Sequence, residues 1–172
     1  MSELILVLGG ANSGKSAFAE AAVLARSDRP AYIATARAFD DEMAAKIARH
    51  RAARGDGWQT IEAPLDLAAA VAEARGADGI LIDCATLWLS NLMLQGADAE
   101  AAEAALFAAL DRAGPPVVIV SNEVGMSIVP EAALGRRFRA MQGGFNQRCA
   151  ARADRVVAVM AGLPLALKGA LP

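Results

Sequence analysis

The stretch VLGGANSGKSAF, residues 7–18, decides the fold of this chain of 172 residues. It joins an aliphatic run (residues 3–8) to a segment of helical character (residues 15–26) through a glycine-rich turn. The turn matches the pattern G-x-x-x-x-G-K-[ST]. Glycine lets phosphate oxygens approach backbone N–H groups, and the following helix offers unpaired N–H groups and a positive dipole end. The stretch therefore predicts a P-loop that binds nucleotide phosphates.

Within this turn, Lys15 is expected to supply a positive charge to the β and γ phosphates, and the Ser16 hydroxyl to complete the coordination shell of Mg²⁺. A second Mg²⁺ contact, often through water, is expected from Asp83 at the end of an apolar run; a solvated acid at a strand end is the alternative. The phosphate contacts are expected from Gly9, Gly10, Ala11, Asn12, Ser13, Gly14, Lys15 and Ser16.

Short aliphatic runs alternate with alanine-rich segments along the chain. Several runs are almost continuously apolar, as parallel strands buried on both faces are. The alternation predicts an α/β fold, with a mostly parallel sheet flanked by helices, in a single domain over residues 1–172. Predicted strands are 3–8, 31–36, 58–64 (the weakest), 79–83, 117–121 and 155–160; predicted helices are 15–26, 40–53, 65–75, 97–113 and 135–153, the last interrupted at Gly143 and Gly144. Irregular segments that could carry function are 54–57, 86–96 and 122–134.

The composition excludes several classes of function. The net charge is −2, from 17 basic and 19 acidic residues, so no basic face for wrapping nucleic acid is expected. The two cysteines suggest neither a disulfide framework nor a zinc site. We expect no signal peptide, because the N-terminus leads straight into a predicted strand without a basic region or cleavage site. We expect no membrane insertion, because the most apolar segment, near the C-terminus, is too short to span a bilayer. The expected compartment is the cytoplasm.

The only histidine, His50, lies in the segment KIARHRAAR (residues 46–54). One interpretation is a surface histidine on a charged helix. The other is chemical: a neutral imidazole can attack phosphorus and form a phosphoramidate. Neighbouring arginines such as Arg51 and Arg54 favour the neutral imidazole and would neutralise charge on phosphate oxygens.

Seven segments, in this order and spacing, resemble the family of bifunctional adenosylcobinamide kinase / adenosylcobinamide-phosphate guanylyltransferases of cobalamin (vitamin B12) biosynthesis. The resemblance covers nearly the whole chain, and SNEVGMSIVPE (residues 121–131) is far more specific than the P-loop. The segments are GGANSGKS (9–16), YIATA (32–36), DDEMAAKIARHR (40–51), WQTIEAP (58–64), LIDCATLWLSNLM (81–93), SNEVGMSIVPEAALGRRFRAMQGGFNQRCAARAD (121–154) and VVAVMAGLPLALK (156–168).

The resemblance implies two reactions. A nucleoside triphosphate, ATP or GTP, phosphorylates the hydroxyl of the aminopropanol arm of adenosylcobinamide. GMP is then transferred from GTP to that phosphate through a guanylylated histidine, which gives adenosylcobinamide-GDP and pyrophosphate. The match places this nucleophile at His50, with Lys15 as the other catalytic residue.

The resemblance also implies a RecA-like P-loop fold, a homotrimer and a wider nucleotide site. The residues expected in that wider site are Ala34, Thr35, Ala36, Arg37, Arg51, Ala52, Ala53, Arg54, Glu62 and Asp83. Glu62 is expected to accept hydrogen bonds from the guanine edge or a ribose hydroxyl; a surface acid is the alternative. Two departures from the expected motifs are Asn12 in place of arginine and Ser127 in place of glycine.

Some features stay open at the level of sequence. Asn122 and Glu123 are expected at a strand end beside the P-loop, where they would orient Mg²⁺ water, the substrate hydroxyl or a closing loop. Val124, Met126, Ile128 and Val129 would contact a neighbouring subunit, the corrin ring or the core. The alternative functions are a single-function small-molecule kinase and a nucleotide-gated switch protein, although the N-K-x-D motif usual in such switches is replaced by SNEV (residues 121–124).

Overall fold

A computed structural model describes residues 2–38, 41, 44–45, 48, 51–52 and 55–172 of the chain. The strands are β1 (Leu4–Gly9), β2 (Pro30–Ala34), β3 (Gln59–Glu62), β4 (Gly79–Asp83), β5 (Val117–Asn122), β6 (Arg155–Met160) and β7 (Leu163–Lys168). The helices are α1 (Lys15–Leu24), α2 (Leu67–Glu73), α3 (Ala85–Leu94), α4 (Ala99–Leu110) and α5 (Ala133–Arg152), with a 3-10 turn at Ala74–Gly76.

The strands of the described residues form one sheet in the order β3-β2-β4-β5-β1-β6-β7. All neighbours up to β6 pair in parallel, and β7 pairs antiparallel to β6. The prediction of an α/β fold with a mostly parallel sheet is therefore confirmed. In such a sheet the carboxyl ends of the parallel strands share one edge, and the loops at that edge are the usual place for a ligand.

Both faces of the sheet are covered. Along β1, Leu4 and Leu6 pack in the core beneath α2 to α5, while Ile5 and Val7 pack with α1 on the opposite face. Successive side chains of a strand point to opposite faces, so a strand buried on both sides must be apolar at every position. This packing explains the uninterrupted aliphatic runs, and it assigns each strand-end side chain to one face.

Three details of the sequence prediction are wrong. Segment 86–96 is not irregular: most of it is α3, which buries Trp88, Leu89 and Leu92. Helix α5 continues through Gly143 and Gly144 without interruption, because Phe145 and Cys149 anchor it in the core. The sequence prediction also left out β7, which follows a tight turn at Ala161 and Gly162, where φ is 52° and 79°.

The other predicted elements are confirmed, with ends shifted by a few residues. The predicted helix 40–53 falls partly outside the described residues. Its described members, Asp41, Ala44, Ala45, Ala48, Arg51 and Ala52, have helical backbone and are exposed. Segment 123–132 contains no helix or strand, as expected.

Candidate active site

The P-loop connects β1 to α1 at the carboxyl edge of the sheet. Gly14 caps α1 with a left-handed backbone (φ 91°), and Asn12 also has a positive φ of 53°. No side chain caps α1 at its N-terminus, which leaves its first N–H groups directed at the loop. The Lys15 ammonium donates to the Gly10 carbonyl at 3.0 Å, so it lies over the turn. This geometry suits an anion at the N-terminus of α1.

The turn between β6 and β7 contacts the P-loop, and the sequence did not predict this contact. The Gly162 N–H donates to the Ser13 carbonyl at 2.8 Å. A Cβ on Gly9 would come within 2.6 Å of the Val159 carbonyl oxygen, and a Cβ on Gly14 within 3.1 Å of the Gly162 Cα. Glycine is therefore required at these two positions by close backbone packing, as well as by the phosphate it is expected to admit.

Asp83 ends β4, and its carboxylate accepts a hydrogen bond from the Tyr32 hydroxyl at 3.0 Å. The next residue, Cys84, has a buried thiol whose pKa is raised. Burial is the main cause that raises the pKa of Cys84 to about 11; the Asp83 carboxylate acts in the same direction and the Lys15 ammonium against it. Asp83 at the end of β4 and the P-loop at the end of β1 lie at the same carboxyl edge of the sheet.

Thr35 follows β2 and is completely buried. Its hydroxyl accepts from the Cys84 N–H and donates to the Cys84 carbonyl, both at 2.8 Å. The buried Asn91 side chain donates to the Thr35 carbonyl at 2.9 Å and to the Pro64 carbonyl at 3.0 Å. These contacts tie together the ends of β2, β3 and β4, and Asn91 is a structural residue that the sequence did not single out.

The remaining predicted nucleotide-site residues are placed as follows. Ala34 pairs in register with both Asp83 and Glu62, so three strand ends meet at this edge. Glu62 and Arg51 are exposed, and Ala36 and Arg37 are half-buried. The predicted nucleophile His50 and the predicted contacts Ala53 and Arg54 lie outside the described residues.

The end of β5 is held by a buried network that the sequence did not predict. Gln142 of α5 donates to the Ser121 hydroxyl at 2.7 Å and to Asn146 Oδ1 at 3.1 Å, and Ser121 donates to Asn146 Oδ1 at 2.7 Å. Asn146 Nδ2 donates to the Asn122 carbonyl at 3.1 Å, and the Asn122 N–H donates to the Thr86 hydroxyl oxygen at 2.8 Å. Polar residues spaced four apart on one helix face, Gln142 and Asn146, were the available signal.

The loop after β5 begins against the P-loop, since the Glu123 N–H donates to the Gly9 carbonyl at 3.1 Å. Its apolar side chains are not in the core: Met126 is 89% exposed and Ile128 is 93% exposed. Arg139 and Arg136 of α5 donate to backbone carbonyls of this loop, at Gly125 and Pro130 among others. These side chains were expected to contact a neighbouring subunit, the corrin ring or the core. For Met126 and Ile128 the expectation of core packing is wrong.

The part of the chain that the structure describes contains neither a membrane span nor a cluster of metal ligands. None of the helices there is both long and apolar enough to cross a bilayer. Within the same residues, no three His, Cys, Asp or Glu side chains cluster as a metal cage would require. Mg²⁺ seldom uses such a cage, because it is usually bound by one or two protein groups together with substrate phosphates.

Residues 5–167 match the family model described as cobinamide kinase / cobinamide phosphate guanyltransferase. The chain belongs to this family. It is 44% identical over 169 residues to the bifunctional adenosylcobalamin biosynthesis protein CobP of Pseudomonas aeruginosa, covering 95% of this chain and 96% of that one. It is 39% and 41% identical over 181 residues to the CobU proteins of Escherichia coli and Salmonella typhimurium, which carry the same description; each match covers 96% of this chain and 99% of the relative.

Membership of the cobinamide kinase / cobinamide phosphate guanyltransferase family confirms the resemblance read from the sequence motifs. The protein is a transferase with two activities, a cobinamide kinase and a cobinamide phosphate guanylyltransferase of cobalamin biosynthesis. This result decides against the single-function kinase and the switch protein.

The fold is also that of the flagellar accessory protein FlaH from Methanocaldococcus jannaschii, with a TM-score of 0.55 over 96% of this chain and 78% of that chain. At 13% identity this likeness concerns the fold alone, and it agrees with the predicted RecA-like architecture.

Proposed function

We propose that one nucleoside triphosphate site, the P-loop formed by Gly9, Gly10, Ala11, Asn12, Ser13, Gly14, Lys15 and Ser16, serves both reactions. The observation that carries the proposal is the left-handed Gly14 cap, which opens the N-terminus of α1 beneath the Lys15 ammonium. An anion there meets backbone N–H groups, the helix dipole and a mobile positive charge. ATP or GTP would bind in the kinase step and GTP in the second.

Asp83 and Ser16, both at the carboxyl edge of the sheet, fit Mg²⁺. The Asp83 carboxylate ends β4, with the Tyr32 hydroxyl on Oδ2, and the Ser16 hydroxyl lies in the first turn of α1. Oxygen ligands of this kind, completed by phosphate oxygens and water, suit the octahedral preference of this ion. A bound Mg²⁺ would neutralise charge on the phosphates; the chain itself orients the nucleotide and holds it at the sheet edge.

His50 is the proposed nucleophile of guanylyl transfer. Its neutral imidazole nitrogen would attack the α-phosphorus of GTP, forming a P–N bond while the bond to the β-phosphate oxygen breaks and pyrophosphate leaves. A phosphate oxygen of the cobinamide phosphate would then attack the same phosphorus, and the histidine would leave. Arg51 and Arg54 would neutralise charge on the transferring group. Support comes from family membership and from the match of KIARHR (residues 46–51) to the motif.

The rest of the proposed nucleotide site lies at the carboxyl ends of β2 and β3, and β3 is an edge strand of the sheet. The nucleoside would lie against the segment formed by Ala34, Thr35, Ala36 and Arg37. Thr35 would hold this segment in place through its buried hydrogen bonds to Cys84. Glu62, exposed at the end of β3, is able to accept hydrogen bonds from a guanine edge or a ribose hydroxyl. Ala52 and Ala53 would complete the wall beside the histidine.

The acceptor would be the adenosyl form of cobinamide and then its phosphate, and the enzyme would act in the cytoplasm as a homotrimer. A neighbouring subunit would help to enclose a corrinoid much larger than the sheet edge of one chain. The relatives are described as adenosylcobalamin biosynthesis proteins, which supports the adenosyl form.

Two substitutions test whether one triphosphate site serves both reactions. Lys15→Ala should impair both the phosphorylation of cobinamide by GTP and guanylyl transfer to supplied cobinamide phosphate. His50→Ala should abolish guanylyl transfer and leave phosphorylation intact. A Lys15→Ala enzyme that loses only one of the two activities would rule out a shared P-loop.

A further inference from the structure

Asn122 ends β5 with an unusual carboxamide. Its side-chain oxygen Oδ1 is buried, yet no atom of the described residues donates a hydrogen bond to it. A buried acceptor without a donor costs roughly 1–3 kcal/mol, and native proteins retain few of them. Asn122 as a whole is half-buried at the carboxyl edge of the sheet, so a ligand donor that reaches this carboxamide would be stabilised there.

The position of this oxygen follows from the sheet. Val118 and Val120 of β5 pack on the α1 face, so the alternation of a strand directs the Asn122 side chain to that same face. Asn122 pairs in register with Gly9, the first residue of the P-loop. On neighbouring β4, Leu81 packs on the α1 face too, which assigns Asp83 to it. The carboxamide therefore stands between the P-loop strand and the strand that carries Asp83.

The backbone behind the carboxamide is fixed. The Asn122 N–H is bound to Thr86, and its carbonyl is bound to the Asn146 amide within the Gln142 network on the opposite face. The next residue, Glu123, is bound through its N–H to the Gly9 carbonyl. A side chain on a strand end whose backbone is held by these hydrogen bonds is positioned as a functional group needs to be.

We propose that Asn122 Oδ1 accepts a hydrogen bond from the hydroxyl of the cobinamide acceptor and aims the hydroxyl oxygen at the γ-phosphorus. This inference rests on the proposed binding of the triphosphate at the P-loop. In the step itself, the hydroxyl oxygen forms a bond to the γ-phosphorus, the bond from that phosphorus to the β-phosphate oxygen breaks, and the nucleoside diphosphate leaves with the electron pair. The hydroxyl proton is released to water; the amide orients the nucleophile and takes no proton.

The same chemistry makes Asn122 specific for the first of the two reactions. A hydroxyl is a donor, whereas a phosphate monoester is mostly dianionic near neutral pH and only accepts hydrogen bonds. The carboxamide oxygen of Asn122 attracts the hydroxyl and repels the phosphate. Asn122 thus favours the unphosphorylated acceptor at the γ-phosphorus and contributes nothing to guanylyl transfer.

The test is Asn122→Ala, with Gln147→Ala as the matched control, since Gln147 is an exposed amide on α5. Cobinamide phosphorylation by GTP should fall in kcat by about 100-fold, as expected for a misdirected nucleophile. Guanylyl transfer to supplied cobinamide phosphate and the Kd for GTP should stay at their wild-type values. Gln147→Ala should match the wild type in every assay.

Wild-type phosphorylation by Asn122→Ala would overturn the inference, and so would an equal loss of both reactions at unchanged GTP affinity. Where thermal melting shows that Asn122→Ala does not fold, Asn122→Ser carries the same test, because its shorter hydroxyl cannot replace the carboxamide. Lys15→Ala separates the two claims. If Lys15→Ala loses both reactions while Asn122→Ala loses neither, the P-loop site stands and only the role of Asn122 fails.

Discussion

The Thr35 hydroxyl bonds both backbone polar groups of Cys84: it accepts from the Cys84 N–H and donates to the Cys84 carbonyl, each at 2.8 Å. The two residues lie at the ends of neighbouring strands, and Thr35 has no exposed surface. A single hydroxyl therefore bonds both backbone polar groups of this buried residue, directly beside Asp83, and the carbonyl also accepts from the Trp88 N–H at 3.2 Å.

Thr35→Val should lower the free energy of unfolding by about 1–3 kcal/mol, because it leaves the buried Cys84 N–H without a partner, while the Cys84 carbonyl keeps the Trp88 N–H. Thr35→Ser keeps the hydroxyl and should lose clearly less. Urea denaturation of the two variants checks the difference. A valine variant as stable as the serine variant would show that the hydroxyl contributes nothing.

Gly9→Ala should weaken GTP binding and lower the melting temperature, whereas Gly10→Ala should change stability little. A Cβ on Gly9 would lie 2.3 Å from Ser13 Oγ and 2.6 Å from the Val159 carbonyl oxygen, and the latter is backbone that cannot rotate away. A Cβ on Gly10 meets no described atom within 4 Å. Calorimetric melting and GTP titration of both variants provide the comparison; equal behaviour would contradict the packing derived for β6.

Stability should fall at alkaline pH, partly through Cys84. Burial raises the pKa of this thiol from 9.0 to about 11. The unfolded thiol ionises first, so the stability that Cys84 contributes is complete below pH 9 and is lost as the pH rises through 9 to about 11. Urea denaturation between pH 7 and pH 11 should show a shallower alkaline decline for Cys84→Ala than for the wild type. Parallel curves for the two proteins would contradict this assignment.

Asp83→Asn should raise the Mg²⁺ concentration needed for half-maximal activity in both reactions by about tenfold or more, since an amide is a poorer ligand than a carboxylate. Tyr32→Phe removes the hydroxyl that donates to Asp83 but keeps the carboxylate, and it should have a smaller effect in the same direction. Activity measured against Mg²⁺ concentration separates the two variants. An unchanged Mg²⁺ requirement in Asp83→Asn would exclude this residue from the metal site.

The sequence was sufficient for the features that depend on local pattern. The P-loop needs glycines at fixed spacing, and buried parallel strands need continuous apolar runs, so β1 and its turn were predictable. Helix α3 was not predicted because Thr86, Ser90 and Asn91 resemble loop residues. The structure places Thr86 and Asn91 at the carboxyl edge of the sheet as hydrogen-bonding side chains, while Trp88, Leu89 and Leu92 form the buried face.

Features that depend on contacts between distant segments could not be read from one sequence. The Gln142–Asn146–Ser121 network joins a helix to a strand more than 20 residues away. Its one local signal, two amides four residues apart on α5, does not show that they are buried. The ion pair of Arg148 with the buried Glu103 likewise joins distant segments, α5 and α4. Strand β7 was not predicted, because Gly162 and Pro164 interrupt the apolar run that ends the chain; proline is tolerated there since β7 is an edge strand.

The central claim is that GTP anchored at the P-loop transfers its guanylyl group to His50. Mass spectrometry of the intact protein after incubation with GTP and Mg²⁺, followed by peptide mapping, tests it most directly. The claim predicts an acid-labile GMP adduct on the peptide that contains His50, and no adduct in His50→Ala. A folded wild-type protein that transfers GMP to cobinamide phosphate without ever carrying this adduct, or that carries it on another residue, would contradict the claim.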